Sequence, residues 1–300
     1  MRPRVGVMGR FGTVARPPMP LRGGRELSFS GPALIMAIVN CNGDSFYAPS
    51  RGLGDFAVEM ALAAEEEGAS IIDFGAESTR PGSLGIGAEE ELAALLPVIR
   101  AFRKCSSLPV SVDTRKAQVA RAVLDEGADI INDISGLSDD PAIAAVCAAS
   151  GAAVVLMHRK GIPVSMQDAP HYDDLPGELR AWFMAATDAA ISAGIRRDRI
   201  ILDPGIGFGK ALDDNLAILR PGTSSPLLAE ICGNDYPVMV GLSRKSFIGE
   251  ITGRLAAERL PGTLAANAAA IMCGAEIIRV HDVKEHADLA KILFALRPGN

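Results

Sequence analysis

Polar residues follow short apolar runs at several points along the chain, and their types could recognise a ligand with two different ends. Asp113, Asn132 and Asp203 carry carboxylate and amide groups that can accept and donate hydrogen bonds around a nitrogen-rich ring. Positive charge suited to a phosphate or pyrophosphate follows later runs, at Lys245, Arg279 and His281. The residues therefore predict a site that binds a polar ring at one end and an anion at the other.

A repeated phrase identifies the elements that must hold these side chains. The sequence EGASIID at 67–73 recurs in related form at 126–132, 150–158 and 273–279. In each copy an amphipathic stretch ends at a glycine, which suits the backbone just past a helix, and β-forming residues then lead to a polar residue. Four more apolar runs, at 34–40, 109–113, 199–203 and 237–241, complete eight predicted strands.

Eight buried strands separated by helices predict an α/β fold, and we expect a (β/α)8 TIM barrel forming one domain at 31–300. A doubly wound open sheet is the alternative, but no GxGxxG motif follows the first strand. In a barrel the polar strand ends meet at one mouth. Residues 1–30, rich in Arg, Pro and Gly, are expected to form a flexible leader, with a short strand beginning near Arg25.

Composition excludes several classes of protein. The formal net charge of −6 argues against a nucleic-acid surface, and no apolar run approaches the roughly 18 residues of a membrane span. The five cysteines are widely spaced and form no CxxC pair, so reduced thiols are expected rather than disulfides or a zinc site. These features predict a cytoplasmic protein that binds small molecules and has neither a nucleic-acid nor a membrane partner.

A series of short motifs extends from Leu34 to the last predicted helix. They are Asn40 followed by DSF at 44–46, DFGAESTRPG at 73–82, SVDT at 111–114, INDI at 131–134, LMH at 156–158, MQ at 166–167, DPGIGF at 203–208, SRKSF at 243–247 and RVHD at 279–282. Each motif is weak alone. In this order and spacing they resemble the dihydropteroate synthase family of pterin-binding barrels.

The resemblance implies that Asp113, Asn132 and Asp203 read the pterin ring. Its pocket would be shaped or contacted by Met157, Phe208 and Lys245. The positions that it implies in catalysis are Asp113, Asp203, Lys245, Arg279 and His281.

At the anionic end, the resemblance implies that Arg279 and His281 bind the departing pyrophosphate. Asn40 would help to hold Mg2+ on that group, and Ser246 would meet the aminobenzoate carboxylate. Two loops would close over the site and complete the aminobenzoate pocket, through Asp44, Phe46, Thr79, Arg80 and Pro81.

The family's reaction condenses 6-hydroxymethyl-7,8-dihydropterin pyrophosphate with 4-aminobenzoate, giving 7,8-dihydropteroate and pyrophosphate in folate biosynthesis. The resemblance also implies a homodimer through outer helices and a target for sulfonamides. One alternative is a pterin-dependent methyltransferase, which would have no use for Arg279 and His281 as a pyrophosphate-binding pair. The other is a non-catalytic pterin-binding paralogue.

The first loop departs from the family pattern and gives the paralogue its best support. Asn42 and Gly43 stand where the family usually has Thr-Pro, and Ala48 replaces an expected acidic residue. Arg159 and Lys160 likewise replace a common Met-Gln pair. We therefore expect normal pterin binding with altered aminobenzoate affinity.

Some polar and aromatic residues also have purely structural interpretations. His158 is as well explained as a packed histidine at a strand end, and Asp133 and Asp282 as caps or ion-pair partners. Trp182 is expected to pack in a helix, and His286, which lies outside any distinctive motif, is expected at the surface.

Overall fold

The computed structural model describes residues 16–41, 53–77, 85–161, 165–220 and 227–297. Its strands are β1 (Met19–Pro20), β2 (Glu26–Leu27), β3 (Leu34–Asn40), β4 (Ile71–Gly75), β5 (Val110–Asp113), β6 (Ile130–Asp133), β7 (Ala153–Met157), β8 (Ile200–Asp203), β9 (Met239–Gly241) and β10 (Ile277–Val280). Its α-helices are α1 (Leu53–Glu66), α2 (Ala88–Cys105), α3 (Ala117–Asp125), α4 (Ala142–Ser150), α5 (Leu175–Ser192), α6 (Leu212–Leu219), α7 (Leu227–Cys232), α8 (Ser246–Thr252), α9 (Leu260–Met272) and α10 (Val283–Ala295).

The strands from β3 to β10 form one parallel sheet in the order β8-β7-β6-β5-β4-β3-β10-β9. The outer strands of that order, β8 and β9, meet through a bridge between Leu202 and Val238. The Leu202 N–H also donates to the Pro237 carbonyl at 2.9 Å. The sheet thus curls into a nearly closed barrel with helices between its strands, so the predicted (β/α)8 architecture is confirmed.

The repeated glycines turn each helix into the following strand. Gly151 directly follows α4 and has φ of 67°, and Gly274 lies two residues after the end of α9 with φ of 105°. A side chain would disfavour this backbone, which explains why each copy of the repeat has a glycine where its helix ends.

Side chains alternate between the two faces of each barrel strand. On β4, Ile72 and Phe74 point outward and belong to the large core beneath the helices, whereas Ile71 belongs to a separate apolar cluster inside the barrel. On several strands, a polar residue lies two positions after a member of this inner cluster and therefore points to the same inward face. The pairs are Ile71 and Asp73, Ile130 and Asn132, Ile201 and Asp203, and Ile277 and Arg279.

A small antiparallel hairpin, β1 with β2, fills the apolar end of the barrel. Met19, Leu21, Leu27 and Phe29 of this segment are each at most 6% exposed and pack against the inner cluster. The short strand expected near Arg25 is confirmed. The prediction of a flexible leader is wrong for residues 16–30, because their apolar side chains complete a core that the barrel strands alone leave open.

Arginines of the same segment pair with the barrel. Arg25 and Arg103 both form ion pairs with the fully buried Asp129, each at 2.6 Å. Arg22 donates to the Ala128 carbonyl at 2.9 Å, and Arg16 pairs with Glu276 at 2.7 Å. The arginines of this segment therefore attach the hairpin to the barrel.

None of the helices in the described ranges is long and apolar enough to cross a membrane.

Candidate active site

Four side chains from separate strands meet at the mouth of the barrel around Arg279. Its Nε donates to Asp73 at 2.6 Å and its Nη2 donates to Asp113 at 2.9 Å. Asn132 donates to the same Asp73 oxygen at 3.2 Å. The alternation of inward side chains places all four in one polar layer above the apolar cluster. Asp113, Asn132 and Arg279 were predicted to share a mouth, and the structure brings them together.

The charges in this layer perturb one another because they are shielded from water. Burial raises the pKa of Asp113 to about 7, Arg279 opposes this shift and the neighbouring Asp73 adds to it. Burial disfavours the charge on Arg279, but Asp73 and Asp113 together raise the pKa of its guanidinium. The arginine therefore stays charged while Asp113 changes charge near neutral pH.

Asp203 and Lys245 occupy the adjacent part of the mouth. Burial raises the pKa of Asp203, while Lys245 and a 2.7 Å hydrogen bond from the Gly205 N–H act in the opposite direction. Burial lowers the pKa of Lys245 to about 8, against the attraction of Asp203. The Lys245 ammonium lies 4.5 Å from the centre of the Phe208 ring and donates to the Ile206 carbonyl.

His281 and Ser246 lie on the exposed side of the mouth. Nδ1 of His281 is 2.9 Å from the Ser243 hydroxyl, and Ser246 is the first residue of α8. Arg244 between them makes a two-point ion pair with Asp282, at 2.5 and 3.2 Å. Asp282 thus has the pairing role that its sequence position predicted.

Two of the remaining predicted site residues lie at strand ends. Met157 is buried at the end of β7 and Asn40 is exposed at the end of β3. The predicted loop contacts lie outside the described residues; these are Asp44, Phe46, Thr79, Arg80 and Pro81. The roles assigned by sequence to all these positions stay predictions.

Several structural interpretations are settled by packing. His158 is buried, and its ring meets the Trp182 ring edge-on with centroids 5.1 Å apart. Asp133 accepts hydrogen bonds from the N–H groups of Ser135 and Leu137, both at 2.8 Å, and so caps a turn. The surface position expected for His286 is wrong.

Asp73 is the residue that sequence reasoning left out of the site. It stood among the polar strand ends, but nothing in the linear sequence showed that it would share Arg279 with Asp113. The signal that could have identified it is the alternation within IID at 71–73, which places Asp73 on the same face as Ile71.

The arrangement can bind and orient a polar ring while attracting an anion. Carboxylates and an amide line the mouth, and the positive groups lie beside them. No conventional nucleophile with an activating base is formed by the described site residues. Catalysis here would therefore depend on positioning and charge stabilisation.

Comparison with known proteins agrees with this geometry. The family model described as pterin binding enzyme matches residues 36–281. A dihydropteroate synthase from Synechocystis sp. is 42% identical over 286 residues, covering 93% of this chain and 95% of that protein.

Solved structures give the same result. The Xanthomonas albilineans dihydropteroate synthase with 4-aminobenzoic acid superposes with a TM-score of 0.85 at 39% identity, covering 94% of this chain and all of that one (100%). The Yersinia pestis enzyme in complex with a sulfonamide drug gives 0.86 at 37% identity, covering 93% and 99%.

A parallel barrel with this polar mouth defines the class, that of the pterin binding enzymes. Within the class, the chain belongs to the dihydropteroate synthase family.

Proposed function

We propose that the protein condenses 6-hydroxymethyl-7,8-dihydropterin pyrophosphate with 4-aminobenzoate to give 7,8-dihydropteroate and pyrophosphate. The observation that carries the proposal is the pair of buried carboxylates, Asp73 and Asp113, that bond Arg279, with Lys245 beside Asp203 at the same mouth. Acidic and amide groups suit the donors of a pterin ring, and the basic groups suit its pyrophosphate.

The reaction is a substitution at the exocyclic methylene carbon of the pterin. The carbon–oxygen bond to pyrophosphate breaks, the arylamine nitrogen forms the new bond, and that nitrogen loses a proton. Asp113, Asn132 and Asp203 would hold the ring so that the methylene faces the amine. Arg279 and His281 would stabilise the negative charge that develops on the departing pyrophosphate.

The arginine suits this role because its orientation is already fixed. Its hydrogen bonds to Asp73 and Asp113 use Nε and Nη2, so among the described contacts Nη1 has no protein partner. A guanidinium held in this way can meet a phosphate oxygen without first having to reorient.

We also propose that Mg2+ accompanies the pyrophosphate. The described residues contain no group of three His, Cys, Asp or Glu side chains able to hold a metal ion. Asn40 supplies one exposed amide oxygen at the end of β3, which suits an ion that takes most of its ligands from substrate phosphates and water. When bound, the ion would neutralise part of the pyrophosphate charge. Asn40→Ala should raise the Mg2+ concentration needed for half-maximal turnover.

A homodimer is the assembly we propose, through α8 and α9. Ile251 and Leu255 are 56% and 74% exposed beside a groove of about 350 Å3, which Leu216, Phe247 and Ile248 help to line. Apolar surface of this kind is typical of a subunit contact. Leu255→Glu should shift the mass measured by light scattering from dimer to monomer, whereas Leu296→Glu, at the exposed residue just after α10, should leave it unchanged.

We place the protein in the cytoplasm. Its five cysteines are all free, and Cys41, Cys147, Cys232 and Cys273 are buried, which suits a reducing compartment. Cell fractionation tests this assignment.

A pyrophosphate-release assay tests the proposed reaction. Release that requires both 4-aminobenzoate and Mg2+ supports the synthase. Binding of the pterin without any turnover would instead favour the non-catalytic paralogue. Inhibition by a sulfonamide that competes with 4-aminobenzoate, as expected for a relative of the Yersinia pestis enzyme, provides a second check.

A further inference from the structure

The turn between β8 and α6 has an unusual pattern of hydrogen bonds. Each of its five successive carbonyls, from Gly205 to Gly209, accepts a hydrogen bond from a side chain. The donors are Lys210 to Gly205 and Phe208, Lys245 to Ile206, Gln167 to Gly207 and Tyr172 to Gly209. The segment 205–209, which we call the β8 turn, is therefore held mainly by side chains from outside it.

Lys210 is the centre of this arrangement. Only 2% of the residue is exposed, and its ammonium faces His158 Nδ1 at 2.9 Å and the carbonyls of Gly205 and Phe208 at 3.1 and 3.3 Å. The His158 carbonyl lies at 3.4 Å. The amine thus finds acceptors at His158, directly after β7, and at two places in the β8 turn, so one side chain ties the turn to the end of the neighbouring strand.

The histidine is suited to receive this bond. Burial and the charge of Lys210 lower the pKa of His158 to about 3, so the ring is neutral and Nδ1 can accept. The turn also packs tightly here, since a Cβ at Gly205 would collide with the His158 carbonyl and one at Gly209 with the Lys160 carbonyl. The β8 turn therefore lies in close contact with the backbone that follows β7.

The β8 turn positions two residues that are predicted to contact the ring, so its hydrogen bonds should affect ring binding. Asp203 lies two residues before Gly205 and accepts a hydrogen bond from the Gly205 N–H, and Phe208 within the turn meets the Lys245 ammonium. Loss of the Lys210 contacts would leave the Phe208 carbonyl and His158 Nδ1 without this donor and allow the turn to move. Phe208 and Asp203 would then lose their fixed relation to Lys245.

We propose that Lys210 is a positioning residue for the ring-binding half of the site, acting through the β8 turn, with Tyr172 as a weaker second support. This inference rests on the proposed pterin-binding function. It assigns a role to a lysine that the sequence motifs left without one. Its effect is on ring affinity, and 4-aminobenzoate binding on the other side of the mouth is expected to be unaffected.

Calorimetry with 6-hydroxymethylpterin, which has the ring and lacks the phosphates, provides the main measurement. Lys210→Met should raise the dissociation constant by about tenfold or more, since a buried donor that bonds His158 and two carbonyls of the turn is lost. Tyr172→Phe, which removes one hydroxyl and nothing else, should raise it by roughly threefold. In steady-state assays both variants should raise the KM for pterin pyrophosphate and leave the KM for 4-aminobenzoate within about twofold of wild type.

Lys284→Met, at an exposed position on α10, is the matched control and should bind as the wild type does. Each variant is measured well below its unfolding midpoint, so that a loss of stability alone cannot change the dissociation constant. If Lys210→Met does not fold, Tyr172→Phe decides the question.

Wild-type affinity in both variants would overturn the positioning role, as would an equal loss of 4-aminobenzoate and ring binding. Ring binding by the wild type without pyrophosphate release would overturn the proposed reaction, while the same dissociation constants still decide the role of Lys210. Failure of the wild type to bind the ring would overturn both.

Discussion

Arg279 is held by two carboxylates from different strands, and this contact determines much of the chemistry at the residue scale. The 2.6 and 2.9 Å hydrogen bonds fix the plane of the guanidinium before a ligand arrives. Their cost is the burial of two acids close together, and one of them, Asp113, keeps a raised pKa as a result. The site therefore combines a permanent positive charge with a carboxylate that titrates near neutrality.

Removal of the Asp73 charge should weaken the hold on Arg279. Asp73→Asn is expected to lower kcat/KM for pterin pyrophosphate by roughly 10- to 100-fold, because a charge-assisted hydrogen bond to a buried guanidinium is lost. Asp133→Asn makes the same change at a buried acid whose described hydrogen bonds come from turn N–H groups and not from Arg279, and it should leave kcat/KM close to wild type. Equal losses in the two variants would show that Asp73 has no special role.

Ring binding should depend on pH with a definite sign. Because Asp113 has a pKa of about 7, its ionised, hydrogen-bond-accepting fraction rises as pH increases through neutrality. Lys245, with a pKa of about 8, loses its charge at higher pH. The affinity for 6-hydroxymethylpterin should therefore rise from pH 6 to about pH 7.5 and fall at higher pH. Asp113→Asn should abolish the rise, and a profile unchanged by that substitution would contradict the assignment.

Sequence reasoning found the charged residues of the site but not their pairings. Asp113, Asn132 and Arg279 were identified because each closes an apolar run. Asp73 and Asp113 both bond Arg279 because of the way their strands are staggered in the barrel, and no local sequence pattern predicts that stagger. His286 shows the same limit: it is fully buried and bonded to Asn267 at 3.0 Å, in a contact between α9 and α10 that arises only when the helices pack.

At the scale of elements, the hairpin of β1 and β2 is the feature that the sequence concealed. Its prolines, glycines and arginines are typical of a flexible segment, and its strands have only two residues each. What orders it is the open apolar end of the barrel, which the inner cluster presents to Leu21, Leu27 and Phe29. Tertiary packing here overrides local composition.

The hairpin should contribute to stability and leave the chemistry unchanged. Phe29→Ala is expected to lower the free energy of unfolding by about 3 kcal/mol, because a large buried side chain is lost. Urea titration measures this loss, with the exposed Ser28→Ala as control. Below the unfolding transition the variant should retain its KM values. A loss of activity at full folding would show that the hairpin also acts on the mouth.

The first loop is the second element with a testable effect. Residues 42–52 lie outside the described ranges, so the expectation of altered aminobenzoate affinity stays a prediction from sequence. Restoring the family pattern with Asn42→Thr, Gly43→Pro and Ala48→Asp should lower the KM for 4-aminobenzoate and leave 6-hydroxymethylpterin affinity unchanged. An unchanged aminobenzoate KM would contradict the prediction.

For the whole molecule, the repeat was sufficient to predict the barrel. Four copies of a helix–glycine–strand phrase, together with four plain strands, specify eight parallel strands, and each polar closing residue then lies at one end of them. The periodicity could not predict how the barrel's other end is filled, because that depends on surfaces that exist only after the sheet has curled.

The bridge at Leu202 and Val238 has one more consequence. Other neighbouring strands of the barrel pair along three or more residues, whereas β8 and β9 are joined by this single bridge. This weakly paired boundary between β8 and β9 is a seam in the barrel, and thermal opening should begin there. The Leu202 amide should therefore exchange with deuterium sooner than the amides of β4 or β5. Asp203 lies on one side of the seam and Lys245 on the other. A substrate bound by both Asp203 and Lys245 would hold the two sides of the seam together. Substrate binding should therefore slow hydrogen exchange at the Leu202 amide.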